Sequence, residues 1–234
     1  SDASAYPGGN LAKRIVGGFT EDEVVKDAFF ILGQEGGLEP VIIVPGIMGS
    51  RLNRVSDGEE IWPNGARMLL PGQDAYLNEL ILNNGGHEQN DLDMNSTAVI
   101  DSVLLRTAYG NLVDNFLNEG YVSGTTLFTV PYDWRLDLTD EVGRLDTAIQ
   151  DALNNSPSGK INIVAHSMGG LLVKEYLHNL QDTSFVDKLI IAGVPQLGSP
   201  KAFKAIMYGD NMGFDVFGTN ILNPERIRII SENM

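Results

Sequence analysis

The stretch with the most chemical content is INIVAHSMGGLLVKEYL, residues 161–177. An apolar, strand-forming run meets a helical pattern with almost no loop between them, and Ser167 stands at the corner. A hydroxyl held on such a sharp strand-to-helix turn projects from the top of a sheet and could attack a carbonyl carbon. The turn tolerates only small residues two before and two after the serine, and Ala165 and Gly169 occupy those places. Glycine is the commoner residue at the first of them, so this is an A-x-S-x-G variant. The helix beginning at Met168 aims its positive end at the site, which favours a developing oxyanion.

Acyl transfer through serine needs two N–H donors for the oxygen of the tetrahedral intermediate. One comes from the residue after the nucleophile, here Met168, and the other from a loop that follows an earlier strand. PGIMGS, residues 45–50, follows the apolar run PVIIV, and Ile47 stands at the matching place. An apolar side chain is no obstacle where the donor is a backbone amide. The competing reading of the same residues is a plain Pro-Gly turn.

The hydroxyl also needs a base, and the base an orienting acid. The chain has three histidines, His87, His166 and His178. His166 adjoins the serine on the elbow, where its side chain is expected to point away from the nucleophile. His178 lies further along the helix that starts at the elbow, ~16 Å down a rigid rod at ~1.5 Å per residue. His87 precedes the serine, and since geometry rather than chain order defines a triad, it stays open. Asp187 precedes a strand and so falls at the wrong end of the sheet, while Asp182, Asp210 and Asp215 have no strand leading into them. The expectation is a chain that stops short, with a C-terminal segment beyond Met234 supplying the Asp and the His.

The elements that position these residues follow from periodicity. Residues 1–38 read as a leader or linker with a short helical pattern around Glu21–Leu32, and residues 39–234 as the N-terminal portion of one domain. Pro40–Val44, Thr126–Val130, Lys160–Val164 and Leu189–Ala192 are short apolar runs closed by turn residues, which suits buried parallel strands. Between them lie helical patterns at Leu112–Leu117, stopped by Gly120, at 140–154 with Thr139 as N-cap, and at Met168–Leu180. Strands alternating with helices predict an α/β fold with a parallel sheet. Residues 53–105 hold no comparable run, only Trp62, Leu69-Leu70 and a helix near Asp74–Leu82. They read as a long insertion, and residues 200–234 as the start of a cap.

Composition narrows the function. Hydrophobic residues make up 43% of 234 and charged residues 20%, a globular balance. The net charge of −15 argues against nucleic acid and against docking on anionic lipid by charge. With no cysteine there is no disulfide or thiolate chemistry. No metal and no cofactor is called for. The compartment is left open, with extracellular ahead of cytoplasmic.

Four segments, PVIIVPGIMGSRL, LFTVPYDWRLD, INIVAHSMGGLLVKEYL and LIIAGVPQLGSPKA, resemble the lecithin:cholesterol acyltransferase-like hydrolases, a group that includes lysosomal phospholipase and bacterial relatives. They cover residues 40–52 and 127–204 in the family's order. The resemblance implies an α/β-hydrolase fold: a mostly parallel sheet, helices on both faces and a lid or cap insertion. It also implies a Ser–Asp–His triad that transfers a fatty acyl group to water or to an alcohol. Ser167 matches the nucleophile, and Ile47 and Met168 match the oxyanion residues. At the place of Ile47 the lysosomal enzyme has an acidic residue, so that enzyme's acidic-pH behaviour is not expected here. The 53–105 insertion falls where the family has its lid loop and a membrane-touching element. Trp62 resembles a tryptophan that engages the acyl chain; a half-buried packing role is the alternative. Tyr132, Asp133 and Trp134 are expected to form a buried, hydrogen-bonded corner under the site; a catalytic role for Asp133 is the alternative.

The resulting expectation is a phospholipase- or lipase-type hydrolase or acyltransferase that cleaves a lipid or other acyl ester through an acyl-enzyme on Ser167, with transient contact to a lipid surface. The alternatives are a broad carboxylesterase and a non-catalytic hydrolase-like module that binds lipid or a partner.

Overall fold

The computed structural model describes residues 38–70, 74–83, 86, 93–103, 106–210, 215–216, 219–220, 222–232 and 234. The expected leader and its helical pattern, and His87, lie outside them. In chain order the elements are β1 (Val41–Val44), β2 (Ser50–Arg54), β3 (Glu60–Trp62), α1 (Gly65–Met68), a 3-10 helix (Asp74–Leu80), β4 (Met94–Val99), β5 (Ser102–Val103), β6 (Arg106–Thr107), α2 (Gly110–Asn118) and β7 (Leu127–Thr129). They continue with α3 (Leu138–Asn155), β8 (Ile161–His166), α4 (Met168–His178), β9 (Val186–Ala192), α5 (Pro200–Tyr208), β10 (Asp215–Val216), β11 (Thr219–Asn220) and α6 (Pro224–Glu232).

Four of the strands form one parallel sheet in the order β7-β1-β8-β9. Its centre is VIIV, all four residues buried, which is what a strand covered on both faces requires. Alternation along β1 sends Val41 and Ile43 to one face, where they meet Leu112 and Phe116 of α2, Tyr121 and Leu127. Ile42 and Val44 go to the other face, against Leu145, Ile149 and Ala152 of α3 and Leu172, Val173 and Tyr176 of α4. The sheet is thus sandwiched between helices, the α/β arrangement expected from the strand–helix alternation, with the helices on both faces that the family resemblance implies. Strand β9 covers only part of its surface: Leu189 and Ile191 stay exposed while Ala192 is buried.

The helix boundaries differ in detail from the periodicity. Helix α3 is capped by Asp137, whose side chain accepts from the Thr139 N–H at 2.8 Å, rather than by Thr139 itself. A carboxylate there also suits the positive helix end, and these bonds hold the Asp137 pKa below its ordinary value. Leu117, expected on the inner face of α2, is 40% exposed. Gly120 ends that helix as expected, at φ 91°.

The 53–105 segment departs most from expectation. With the residues just before it, it builds a three-stranded antiparallel sheet, β3-β2-β4, and the helix expected near Asp74–Leu82 is a 3-10 helix over Asp74–Leu80. Leu52, Ile61, Trp62, Leu77, Leu80 and Leu82 from this region are all fully buried. Arg54 ties β2 to the 3-10 helix through Glu79, with Nε to Oε2 at 2.8 Å. The end of the chain returns to the same unit: Leu222, Ile227 and Ile230 join its apolar cluster, and Arg226 bonds Asn78.

Candidate active site

Strand β8 ends at His166 and α4 begins at Met168, leaving Ser167 alone at the corner. Its φ of 49° and ψ of −126° fall outside the regions that a side chain normally allows. A backbone of this kind costs about 1–3 kcal/mol and persists only where its surroundings enforce it. The enforcing contacts are visible. The Ser167 N–H donates to Ala192 O at 2.8 Å, extending the β8–β9 ladder through the corner. Gly169 sits so close to the end of β1 that a Cβ would lie 2.2 Å from Pro45 O and 2.8 Å from Val44 O. Ala165, the other small position of the motif, is fully buried between Val44 and Ile191. The hydroxyl itself makes no helix-capping bond, although serine at this position ordinarily caps the amides that follow.

The loop 45–50 lies directly against the serine. A Cβ on Gly46 would stand 2.8 Å from Ser167 Cβ. Gly49 N–H donates to Gly46 O at 3.0 Å, closing a turn across Ile47 and Met48. Met48 has φ 60°, as the third residue of a type II turn does. Gly46, the neighbour of Ile47, and Met168 therefore both lie beside Ser167. Ile47 is 37% exposed, and Met168 is the first residue of α4.

Trp62 is placed differently from the expectation that it engages the acyl chain. It is fully buried, its indole N–H donates to Met48 O at 3.0 Å, and its ring packs edge-on against Trp134 with centroids 5.7 Å apart. It pins the turn that carries Ile47 and presents no surface to a substrate. Trp62→Phe keeps the ring and deletes that hydrogen bond. The expected result is a stability loss of about 1 kcal/mol and equal loss of activity on vesicle-bound lipid and on a soluble short-chain ester. A loss confined to vesicle-bound lipid would restore a substrate contact.

Tyr132, Asp133 and Trp134 form the buried corner. Tyr132 Oη donates to Pro45 O at 3.0 Å, its N–H donates to Ser50 Oγ at 3.0 Å, and Trp134 Nε1 donates to Ser50 O at 3.3 Å. Burial pushes the Tyr132 phenol well above its ordinary pKa, so it remains a neutral donor. Residue Tyr109, which sequence reasoning did not single out, completes the surroundings. Its Oη accepts from the Gly46 N–H at 2.7 Å and lies 2.7 Å from His166 Nδ1. His166 retains solvent-accessible surface, yet its crowded setting lowers its pKa by desolvation.

Neither described histidine takes the position of a base toward Ser167. His166 turns Nδ1 to Tyr109 and Nε2 toward Gly193, and His178 is the last residue of α4. Asp187 lies at the start of β9, 3.9 Å from Lys188, and Asp210 pairs with Lys204 at 2.7 Å. A cavity of about 630 Å³ along α4 is lined by Leu136, Leu138, Leu171, Lys174 and His178 and does not include Ser167. Among the described residues no group of three His, Cys, Asp or Glu side chains could hold a metal, and no helix is long and apolar enough to cross a membrane.

The family model for lecithin:cholesterol acyltransferase matches residues 89–234, well over half of the chain. The chain belongs to the lecithin:cholesterol acyltransferase family. Within that family it is similar to the phosphatidylcholine-sterol acyltransferases of Rattus norvegicus, at 27% identity over 220 residues, and Homo sapiens, at 26% over 221. Each match covers 80% of this chain and 50% of the relative. A phospholipase A(1) of Arabidopsis thaliana is 34% identical over 98 residues, 39% of this chain and 22% of that protein. The chain thus spans about half the length of the curated acyltransferases it matches. Among solved structures, a chain of the Tle4-Tli4 complex matches with a TM-score of 0.41 at 15% identity, over 78% of this chain and 49% of that one, too distant to carry an argument.

Proposed function

We propose that the intact protein is a serine-dependent lipid acyl hydrolase or acyltransferase, in which Ser167 attacks the carbonyl of a lipid ester and becomes acylated. The observation that carries this reading is the strained serine at the strand-to-helix corner, its hydroxyl unused by the helix and its Cβ against the Gly46 loop. In this reading Ser167 Oγ gives its proton to an imidazole and bonds the carbonyl carbon. The oxygen that gains charge sits between the Ile47 and Met168 amides, with the N terminus of α4 behind it. Collapse of the intermediate expels the lipid alcohol. Water or an acceptor alcohol then takes the acyl group. The imidazole comes from His87 or from residues outside these 234. Family membership supports a lipid ester as substrate, since the relatives are named for phosphatidylcholine, sterol and phospholipid.

The test is to label the intact protein with a fluorophosphonate and map the adduct. Modification at Ser167 is expected, and an adduct on any other residue rejects the assignment. In a complex with a phosphonate inhibitor, the phosphonyl oxygen is expected about 2.7–3.1 Å from both amides. Amides of Ile47 and Met168 pointing apart would remove the oxyanion assignment while leaving the nucleophile.

Contact with the lipid surface is the remaining part of the proposal. Of the apolar residues in the 53–105 insertion, Trp62 is buried, whereas Leu69 and Leu70 are about half exposed at 50% and 55%. Leu69→Ser with Leu70→Ser is expected to weaken action on vesicle-bound lipid several-fold and to leave a soluble short-chain ester untouched, because only the first substrate gains from apolar insertion. Equal losses on both would assign the pair a structural role.

A further inference from the structure

The loop that faces Ser167 has an unusual mechanical problem. Gly46 has no Cβ, because none fits against Ser167, and a glycine exerts little preference over its own backbone angles. The Ile47 N–H shares a peptide plane with the Gly46 carbonyl, held by the Gly49 N–H at 3.0 Å, and that plane is in turn set about Gly46 by how the Pro45–Gly46 plane is held. Both ends of that plane are gripped by phenols. Tyr132 Oη donates to the Pro45 carbonyl at 3.0 Å, and Tyr109 Oη accepts from the Gly46 N–H at 2.7 Å. Tyr132 is rooted in the buried corner by its own N–H to Ser50 Oγ. Tyr109 is only partly buried and is steadied on its other side by His166, whose Nδ1 lies 2.7 Å from the same phenol oxygen. Tyr109 Oη accepts the Gly46 proton and still has one donor and one acceptor site, so it bonds Nδ1 of either imidazole tautomer, donating to a bare Nδ1 or accepting from Nδ1–H.

We propose that Tyr109 and His166 are positioning residues of the oxyanion loop: they fix the Pro45–Gly46 plane, and through it the Ile47 amide, relative to Ser167. The inference rests on Ser167 and Ile47 having the roles given above. His166 is the residue immediately before Ser167, so one chain of hydrogen bonds, Gly46 N–H to Tyr109 to His166, ties the electrophile-binding loop to the elbow itself. Movement of either segment moves the other. Such a link acts where charge develops, and it predicts a fault in turnover without a fault in binding.

The experiment measures kcat and KM of the intact protein on a soluble short-chain ester, with thermal unfolding beside them, for Tyr109→Phe, His166→Leu and His166→Asn. Tyr109→Phe removes one oxygen, and His166→Leu removes the imidazole. Each is expected to lower kcat about 10- to 100-fold, less than outright loss of a donor, with KM within about twofold. His166→Asn places Oδ1 near the position of Nδ1 and is expected to recover most of the lost kcat, an outcome that a purely packing role would not give. Should His166→Leu fail to fold, Tyr109→Phe carries the test alone. Wild-type kcat in Tyr109→Phe, or a loss lying wholly in KM, overturns the inference. Ser167→Ala is run alongside. Retained turnover there rejects the nucleophile, whereas lost turnover with a normal Tyr109→Phe enzyme rejects only the positioning role.

Discussion

Replacing Ser167 by alanine is expected to lower ester turnover about 10⁴- to 10⁶-fold, the scale seen when the nucleophile of a catalytic triad is removed. What remains, ~10³–10⁴-fold over water, comes from binding and oxyanion stabilisation. Stability should hardly change. Alanine has the same Cβ as serine, so it bears the same backbone strain at φ 49°, and the hydroxyl caps nothing in α4. A collapse of activity in a protein that unfolds at the wild-type temperature is therefore the expected signature, and steady-state rates with a melting curve check it. Ester turnover within tenfold of wild type would reject Ser167. The same assay on His87→Ala locates the base. A loss matching that of Ser167→Ala would assign the imidazole to His87, and unchanged turnover would exclude His87 as the base. His166→Ala cannot serve as that control, because His166 contacts the loop through Tyr109.

The elbow could be read in the sequence because every requirement is local. The switch from an apolar strand to a helical pattern, the serine at the switch, and Ala165 and Gly169 beside it all fall within a few residues. The parallel sheet was legible for a related reason: strands covered on both faces are continuous apolar runs, as VIIV is. The antiparallel sheet was not. SRLNR, EIW and MNSTAV are short and mix polar with apolar residues, and none is a continuous apolar run, so no window of the sequence stands out. Trp62 admitted two readings, acyl-chain contact or packing, for the same reason. Its burial depends on Trp134 and Met48, which other segments bring to it. Tyr109 carried no local signal at all: its bonds reach across 63 residues to Gly46 and 57 to His166. Local pattern thus reveals the strand-to-helix corner and its serine, whereas the groups packed around that corner emerge only from the tertiary fold.

The largest stability effect is expected at Asp133. Its carboxylate takes both arms of Arg135, Oδ1 from Nε at 2.9 Å and Oδ2 from Nη2 at 2.5 Å, and Oδ1 also accepts the Arg135 backbone N–H at 3.0 Å. The pair is shut away from solvent, at 2% and 1% exposure, and Arg135 Nη1 reaches Leu80 O at 3.5 Å. Asp133→Ala takes the bidentate carboxylate away from a buried guanidinium, and breaking a buried pair in this way costs about 3–5 kcal/mol. Against a total stability of about 5–15 kcal/mol for a typical domain, that is enough to deplete the folded protein. The remedy follows from the same physics. Asp133→Ala with Arg135→Met removes both charges, and replacing a buried pair with apolar groups is often neutral, so most of the loss should return. The ion pair also carries function indirectly, because it holds the corner from which Tyr132 grips Pro45 O, so the double variant should fold better than it catalyses. Denaturant midpoints at unchanged slope provide the check. If Asp133→Ala unfolds within 1 kcal/mol of wild type yet loses ester turnover as completely as Ser167→Ala, the residue acts in the chemistry and the buried corner is not its purpose.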